Sequence, residues 1–130
     1  MTKQLHIGEG LPLPVDAITQ TFGIVAQRGA GKTYLTAVLC EEFGSAGLPF
    51  VVIDPMGVYY GLRSSADGKR DGLPVIILGG EHGDVPLEST SGKVIADWVV
   101  SERRSAVLDL SLFGKNEQRR FVTDFAEQLY

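Results

Sequence analysis

The sequence predicts an α/β protein built on a mostly parallel sheet flanked by helices. Three observations carry that expectation. Short apolar runs recur at Phe22–Ala26, Phe50–Ile53, Pro74–Leu78 and Ala106–Leu110. Runs of this kind mark strands covered on both faces, as parallel strands are. Segments with apolar residues at helical spacing follow the first, third and fourth runs, after Gly31, from Ser91 to Glu102 and from Lys115 to Tyr130. Alternating strands and helices imply crossover connections. There is no internal repeat and no low-complexity tract.

The elements follow in chain order. Leu5–Gly8 has the composition of a short strand, and Leu11–Val15, with two prolines, reads as an edge strand or an extended lead-in. Residues 1–21 thus form a lead-in, and residues 22–130 form the start of the main domain. His6 has no assigned role. Phe22–Ala26 is the first core strand. It runs into Gln27-Arg28-Gly29-Ala30-Gly31-Lys32-Thr33, and a helix follows with Leu35, Val38, Leu39 and Phe43 on one face and Gly44 as its stop.

Strand, glycine loop, Gly-Lys-Thr and helix together are the context of a phosphate-binding P-loop. A polyphosphate needs many donors in one concave turn. Gly29 and Gly31 allow backbone conformations that a side chain would block. The amides from Gly29 to Thr33 then converge on phosphate oxygens at the positive end of the helix. Lys32 reaches the β- and γ-phosphates as a mobile cation, and the Thr33 hydroxyl holds Mg²⁺. The nucleotide-binding candidates are Gln27, Arg28, Gly29, Ala30, Gly31, Lys32, Thr33 and Tyr34, with ATP and Mg²⁺ as cofactors. The strict pattern opens with Gly; Ala26 stands there, and a small residue still fits. A chance Gly-Lys-Thr is the competing reading in a chain with 16 glycines, but the flanking strand and helix argue against it.

Phe50–Ile53 reads as a buried strand ended by Asp54-Pro55. A carboxylate at the C-terminal end of a parallel strand lies on the edge where open α/β sheets bind ligands. Asp54 is therefore a candidate catalytic or magnesium-facing carboxylate, and equally a turn-capping Asp before Pro. Arg63–Gly72 is a polar surface loop. Pro74–Leu78 is a third strand. His82 and Asp84 follow in an irregular stretch, and two residues do not make a metal site. Trp98 belongs to the core face of the next helix, with Val94, Ile95 and Val99. Ala106–Leu110 is the fourth strand. The last helix places Phe121, Val122, Phe125 and Leu129 inward. Arg103, Arg104, Arg119 and Arg120 read as solvated helix surface, with a cation facing a neighbouring subunit's phosphate as the sharper alternative.

Composition excludes several classes. The 130 residues make one domain, or part of one, with 44% hydrophobic and 22% charged residues. A net charge of −4 and a sequence pI near 5.1 give no support for a stand-alone basic nucleic-acid binder. Cys40, the only cysteine, excludes an internal disulfide and fits a reducing cytoplasm, as a buried small residue on the first helix. No signal peptide is visible, and no run approaches the roughly 18 apolar residues of a membrane span.

An ATPase of this type also needs a carboxylate that supports Mg²⁺ and a group that polarises water. Asp109, after Ala-Val-Leu, has the form of the first, and Asp54 shares it. Neither is followed by a second acid. A sheet ended by the final helix would keep an unpaired edge. The chain is therefore expected to be the N-terminal part of a longer ATPase, binding nucleotide but hydrolysing it poorly alone.

Together, Ile24–Thr33, Val52-Ile-Asp-Pro-Met-Gly57, Gly61-Leu-Arg-Ser-Ser-Ala-Asp-Gly68 and Val107-Leu-Asp-Leu-Ser111 resemble the HerA–FtsK superfamily of pumping ATPases, above all the HerA-like ATP-binding proteins. The resemblance implies a RecA-like core, Mg-ATP, a hexameric homo-oligomeric ring and DNA as the translocated partner. It also implies that an Asp-Glu pair lies beyond Tyr130. Gly29, Gly31, Lys32 and Thr33 match the family's nucleotide site, and Asp54 matches its strand-end Asp. Many members carry an acid after Asp-Pro-x-Gly; Val58 stands there here.

Three other functions compete. A GTPase switch would use Asp54–Gly57 as D-x-x-G, but no Asn-Lys-x-Asp guanine reader occurs. A small-molecule kinase would need an arginine lid, for which Arg63, Lys69 and Arg70 are candidates. A regulatory module would bind nucleotide without turnover.

Overall fold

The computed structural model of the chain describes residues 4–19, 23, 25, 27, 29, 31–64 and 67–130. The chain divides into two units, Met1–Leu48 and Pro49–Tyr130.

In the first unit, β1 (Gln4–His6) pairs antiparallel with β2 (Pro12–Pro14), Leu5 opposite Leu13. Pro12 and Pro14 carry no N–H, so their side of β2 cannot extend the ladder, as expected of an edge strand. A 3₁₀ turn spans Val15–Thr19. The expected strand Phe22–Ala26 falls largely outside the described residues, since Phe22, Ile24 and Ala26 are not among them. Helix α1 (Lys32–Ser45) follows the glycine loop. It runs past Gly44, the expected stop. The residue that turns left-handed is Gly47, at φ 73°. Leu48 N–H donates to the Phe43 carbonyl at 2.9 Å and Gly47 N–H to the Gly44 carbonyl at 3.1 Å. This glycine cap satisfies carbonyls the helix leaves open. His6 N–H donates to the Glu42 carboxylate at 2.9 Å, tying β1 to α1. Cys40 is buried, and burial, then the nearby Glu41 charge, pushes its thiol up to about 11.

The second unit is a parallel three-stranded sheet in the order β3 (Val51–Asp54), β5 (Ala106–Asp109), β4 (Ile76–Leu78). Val51 pairs with Ala106 and Asp54 with Asp109 on one side; Ile76 pairs with Ala106 on the other. Central β5 is buried at every residue. Ala106, Leu108 and Leu110, with Leu78, meet Ala96 and Val99 of α2 (Gly92–Glu102) and Phe121 and Phe125 of α3 (Lys115–Leu129). Trp98 packs partly buried against this core, as its spacing predicts. The two helices approach closely at Gly92, where a Cβ would lie 2.6 Å from the Phe121 carbonyl oxygen. Ile77 and Val107 are also buried, and a 3₁₀ turn at Tyr59–Arg63, with Leu62 buried, contacts β5.

Three expectations need correction. β3 is not buried on both faces: within its unit it is an edge strand, and Ile53 is 36% exposed. Val94 is 68% exposed and Leu129 49% exposed, so neither faces the core. Periodicity defines a stripe, but the width actually covered depends on the partner.

Phe121 has no exposed surface and stacks 6.3 Å from Phe125, ring centre to ring centre. Phe121→Ala should therefore cost about 3–5 kcal/mol, against a change within about 0.5 kcal/mol for exposed Val94→Ala. Urea denaturation followed by Trp98 fluorescence measures both.

Candidate functional site

Two described glycines precede α1. Gly29 has φ 83° and Gly31 φ 96°, left-handed values that favour glycine. A Cβ at either would meet nothing within 4 Å, so the space beside both is open. Gly31 is the N-cap, and no side chain caps the helix. Leu35 N–H is already taken by the Gly31 carbonyl at 2.9 Å. The start of the helix is the positive end of its dipole. Lys32, Thr33 and Tyr34 are exposed, as is Gln27. Arg28 and Ala30 lie outside the described residues.

In the second unit, the carboxyl edge of the sheet gathers two aspartates. The register sets Asp54 directly beside Asp109, and both are buried, at 1% and 3% exposure. Asp54 spends its carboxylate on its own turn. Oδ1 accepts the N–H of Met56 at 3.2 Å and of Gly57 at 2.9 Å, and Oδ2 accepts Tyr59 N–H at 2.9 Å. Of its two readings in the sequence, turn capping is the one this geometry displays. A carboxylate offers about four lone-pair sites, and three are used.

Asp109 is arranged differently. Its Oδ1 accepts Ser111 N–H at 2.9 Å, while Oδ2 takes no hydrogen bond among the described residues. Two glycine turns close around it. A Cβ on Gly80 (φ 68°) would lie 2.0 Å from Oδ2, and one on Gly57 (φ 74°) would lie 3.2 Å from Oδ2 and 2.9 Å from Ser111 Oγ. Only glycine fits at either place.

Further contacts join the loops of this edge. Leu110 N–H donates to the Asp54 carbonyl at 2.9 Å. Gln118 Nε2, on α3, donates to the carbonyls of Pro55 at 3.3 Å and Leu110 at 2.9 Å. Tyr60 and His82 stack with ring centroids 3.8 Å apart. Arg63 pairs with Asp84 Oδ1, and Asp84 Oδ2 accepts Ile77 N–H at 2.9 Å. His82 and Asp84 are thus engaged with different partners, and no group of three or more metal-binding side chains occurs among the described residues. Asp84 holds the Arg63 guanidinium in a partly exposed ion pair. Arg120 lies 3.9 Å from Asp124 in an exposed i,i+4 pair.

Gly80 and Gln118 were not singled out by sequence reasoning, and Ser111 entered it only as the last residue of the Val107–Ser111 segment. Gly79-Gly80 reads as an ordinary strand terminator, and Gln118 as one polar residue of a helix. Only their tertiary neighbours distinguish them.

A parallel sheet packed against helices, with carboxylates at its carboxyl edge and a glycine-bounded helix start elsewhere in the chain, is compatible with the P-loop class of α/β proteins. The family model described as Helicase HerA, central domain, matches residues 4–78, more than half of the chain. The chain belongs to this HerA family. Neither curated proteins nor solved structures gave a significant match. Among the described residues no helix is long and apolar enough to cross a membrane.

The glycine arrangement sets a first test. Gly68 (φ 69°) has open space where Gly80 has Asp109. Ala at either position incurs left-handed strain of about 1–3 kcal/mol. Gly80→Ala should cost clearly more than Gly68→Ala in urea denaturation, and equal costs would contradict the close approach. A second test concerns acid. The Arg63 hydrogen bond, then the Ile77 N–H, holds the Asp84 carboxyl below the usual carboxylate range. Its stabilisation is complete above the unfolded value near 4 and is lost as pH falls through the lower folded value. Asp84→Asn should be less stable than wild type above pH ~5 and converge with it in stronger acid; pH-dependent melting measures the difference.

Proposed function

We propose that the chain is a Mg-ATP-binding P-loop ATPase of the HerA–FtsK type. The observation that carries this reading is the pair of left-handed glycines, Gly29 and Gly31, leading into an uncapped helix with Lys32 and Thr33 exposed at its start. Membership of the HerA family supports it.

The roles follow from the chemistry. Gln27 to Tyr34 form the phosphate loop, with the backbone amides of Gly29 to Thr33 as donors. Lys32 neutralises charge on the β- and γ-phosphates, and the Thr33 hydroxyl is the Mg²⁺ ligand. Bound Mg²⁺ supplies charge neutralisation across the phosphates. Open space beside both glycines and the hard oxygen of Thr33 fit such a group. Asp54 and Asp109 are the candidate carboxylates of the reaction. Asp54 already holds three amides, so it serves by shaping its turn, and Asp109 is the better placed to accept from water or a hydrated cation. Residues 1–21 act as a lead-in to the ATPase sequence of 22–130. A homo-oligomeric ring, hexameric in the family resemblance, and translocation of DNA in the cytoplasm complete the proposal. A nucleotide-binding module without turnover is the alternative.

Lys32→Ala should abolish measurable ATP binding by titration calorimetry while leaving the circular dichroism spectrum unchanged. The variant removes a cation from the phosphates without touching the core. Binding at wild-type affinity would place the nucleotide elsewhere. Preference for GTP over ATP would favour a switch, and hydrolysis stimulated by DNA would favour the motor over the kinase and the regulatory module.

A further inference from the structure

We propose that Gln118 is a positioning residue that locks the turns after β3 and β5 to each other and so sets the placement of Asp54 and Asp109. Its Nε2 donates to the Pro55 carbonyl at 3.3 Å and the Leu110 carbonyl at 2.9 Å, one residue beyond each aspartate. Both partners are carbonyl oxygens, which only accept, so the amide nitrogen must face them and both of its protons are used.

The side chain is held firmly. Gln118 lies in the first turn of α3, where its own N–H donates to the Gly114 carbonyl at 2.9 Å and Glu117 accepts Gly114 N–H at 3.0 Å. Three residues on, Phe121 anchors the helix in the core. The clamp therefore refers both turns to a rigid helix rather than to another loop. One backbone bond, Leu110 N–H to the Asp54 carbonyl, already joins the strand ends. Gln118 adds a second and a third tie, past the point where the ladder stops. Without it, the turn at Pro55–Tyr59 can hinge away from Ser111, and Asp109 Oδ2 loses its fixed surroundings.

The inference gives the ATPase reading a further part, and its use in catalysis rests on that reading; the clamp itself can be tested without nucleotide. Hydrogen exchange of the full chain should be measured at the amides of Met56, Gly57, Tyr59 and Ser111, which the two aspartates hold. Gln118→Leu removes both donors at similar length. Exchange at these four amides should quicken about tenfold, the loss of a net hydrogen bond, while the amides of β5 keep their protection. Gln118→Glu adds a readout that packing alone would not move. When protonated it offers one donor, and when ionised it sets a charge against two carbonyls. Its protection factors should fall as pH rises through about 4–5, with no such step in wild type. Unchanged protection in Gln118→Leu, uniform loss across the whole unit, or a Glu variant without the pH step would each overturn the clamp. Lys32→Ala separates the two readings: loss of ATP binding with these protection factors intact leaves both standing, and retained binding removes only the nucleotide site.

Discussion

The constraint on which the second unit depends is the burial of two carboxylates side by side at the end of a parallel ladder. The register places Asp54 beside Asp109, and neither has more than 3% of its surface exposed. An ionised carboxylate taken out of water needs hydrogen bonds to replace hydration. The backbone supplies them. Three amides fold back onto Asp54 and one onto Asp109. The shape of both turns is a consequence. Pro55 ends β3, the chain curls around its own aspartate, and glycine is required wherever that curl or its neighbour crosses the carboxylates. The left-handed glycines at 57 and 80 thus follow from electrostatics as much as from turn geometry.

Much of the framework was legible in the sequence because it rests on local pattern. Val51–Asp54, Ile76–Leu78 and Ala106–Asp109 are strands where apolar runs predict them, and they pair in parallel as expected, with α2 crossing over between the last two. What was not legible depends on partners. Ile53, Val94 and Leu129 are apolar and in phase, yet exposed, because phase says nothing about where the neighbouring layer ends. The end of α1 was misplaced for a related reason. Gly44 and Gly47 both qualify by type, and only the carbonyl bonding pattern selects Gly47. Gln118 is the extreme case, since nothing in its helical context marks a side chain whose partners lie 63 and 8 residues away.

The departure at Val58 can be judged physically. In the HerA-like pattern an acid often follows Asp-Pro-x-Gly. Here Val58 is 50% exposed and begins the 3₁₀ turn Tyr59–Arg63. A half-exposed position imposes no apolar requirement, and an acid at the start of a helical turn would be electrostatically favourable. Packing therefore does not explain the valine. The change removes a charge from the carboxyl edge without a compensating gain in the core.

Those two residues are not equivalent, and the difference decides what each can contribute. A group with most of its lone pairs committed to amides is rigid, and using it for a ligand would dismantle the turn it organises. A group with one oxygen committed and one without a hydrogen bond is oriented by the first and can accept through the second. Asp54 is of the former kind and Asp109 of the latter. The sequence cannot separate them, because both follow apolar residues at a strand end. Their neighbours separate them: Met56, Gly57 and Tyr59 turn inward to Asp54, while Gly57 and Gly80 withhold side chains from Asp109. Preorganised polar groups are effective where their reorganisation has been settled by folding. At this edge folding settles it through backbone amides, with Gln118 holding the two turns in register.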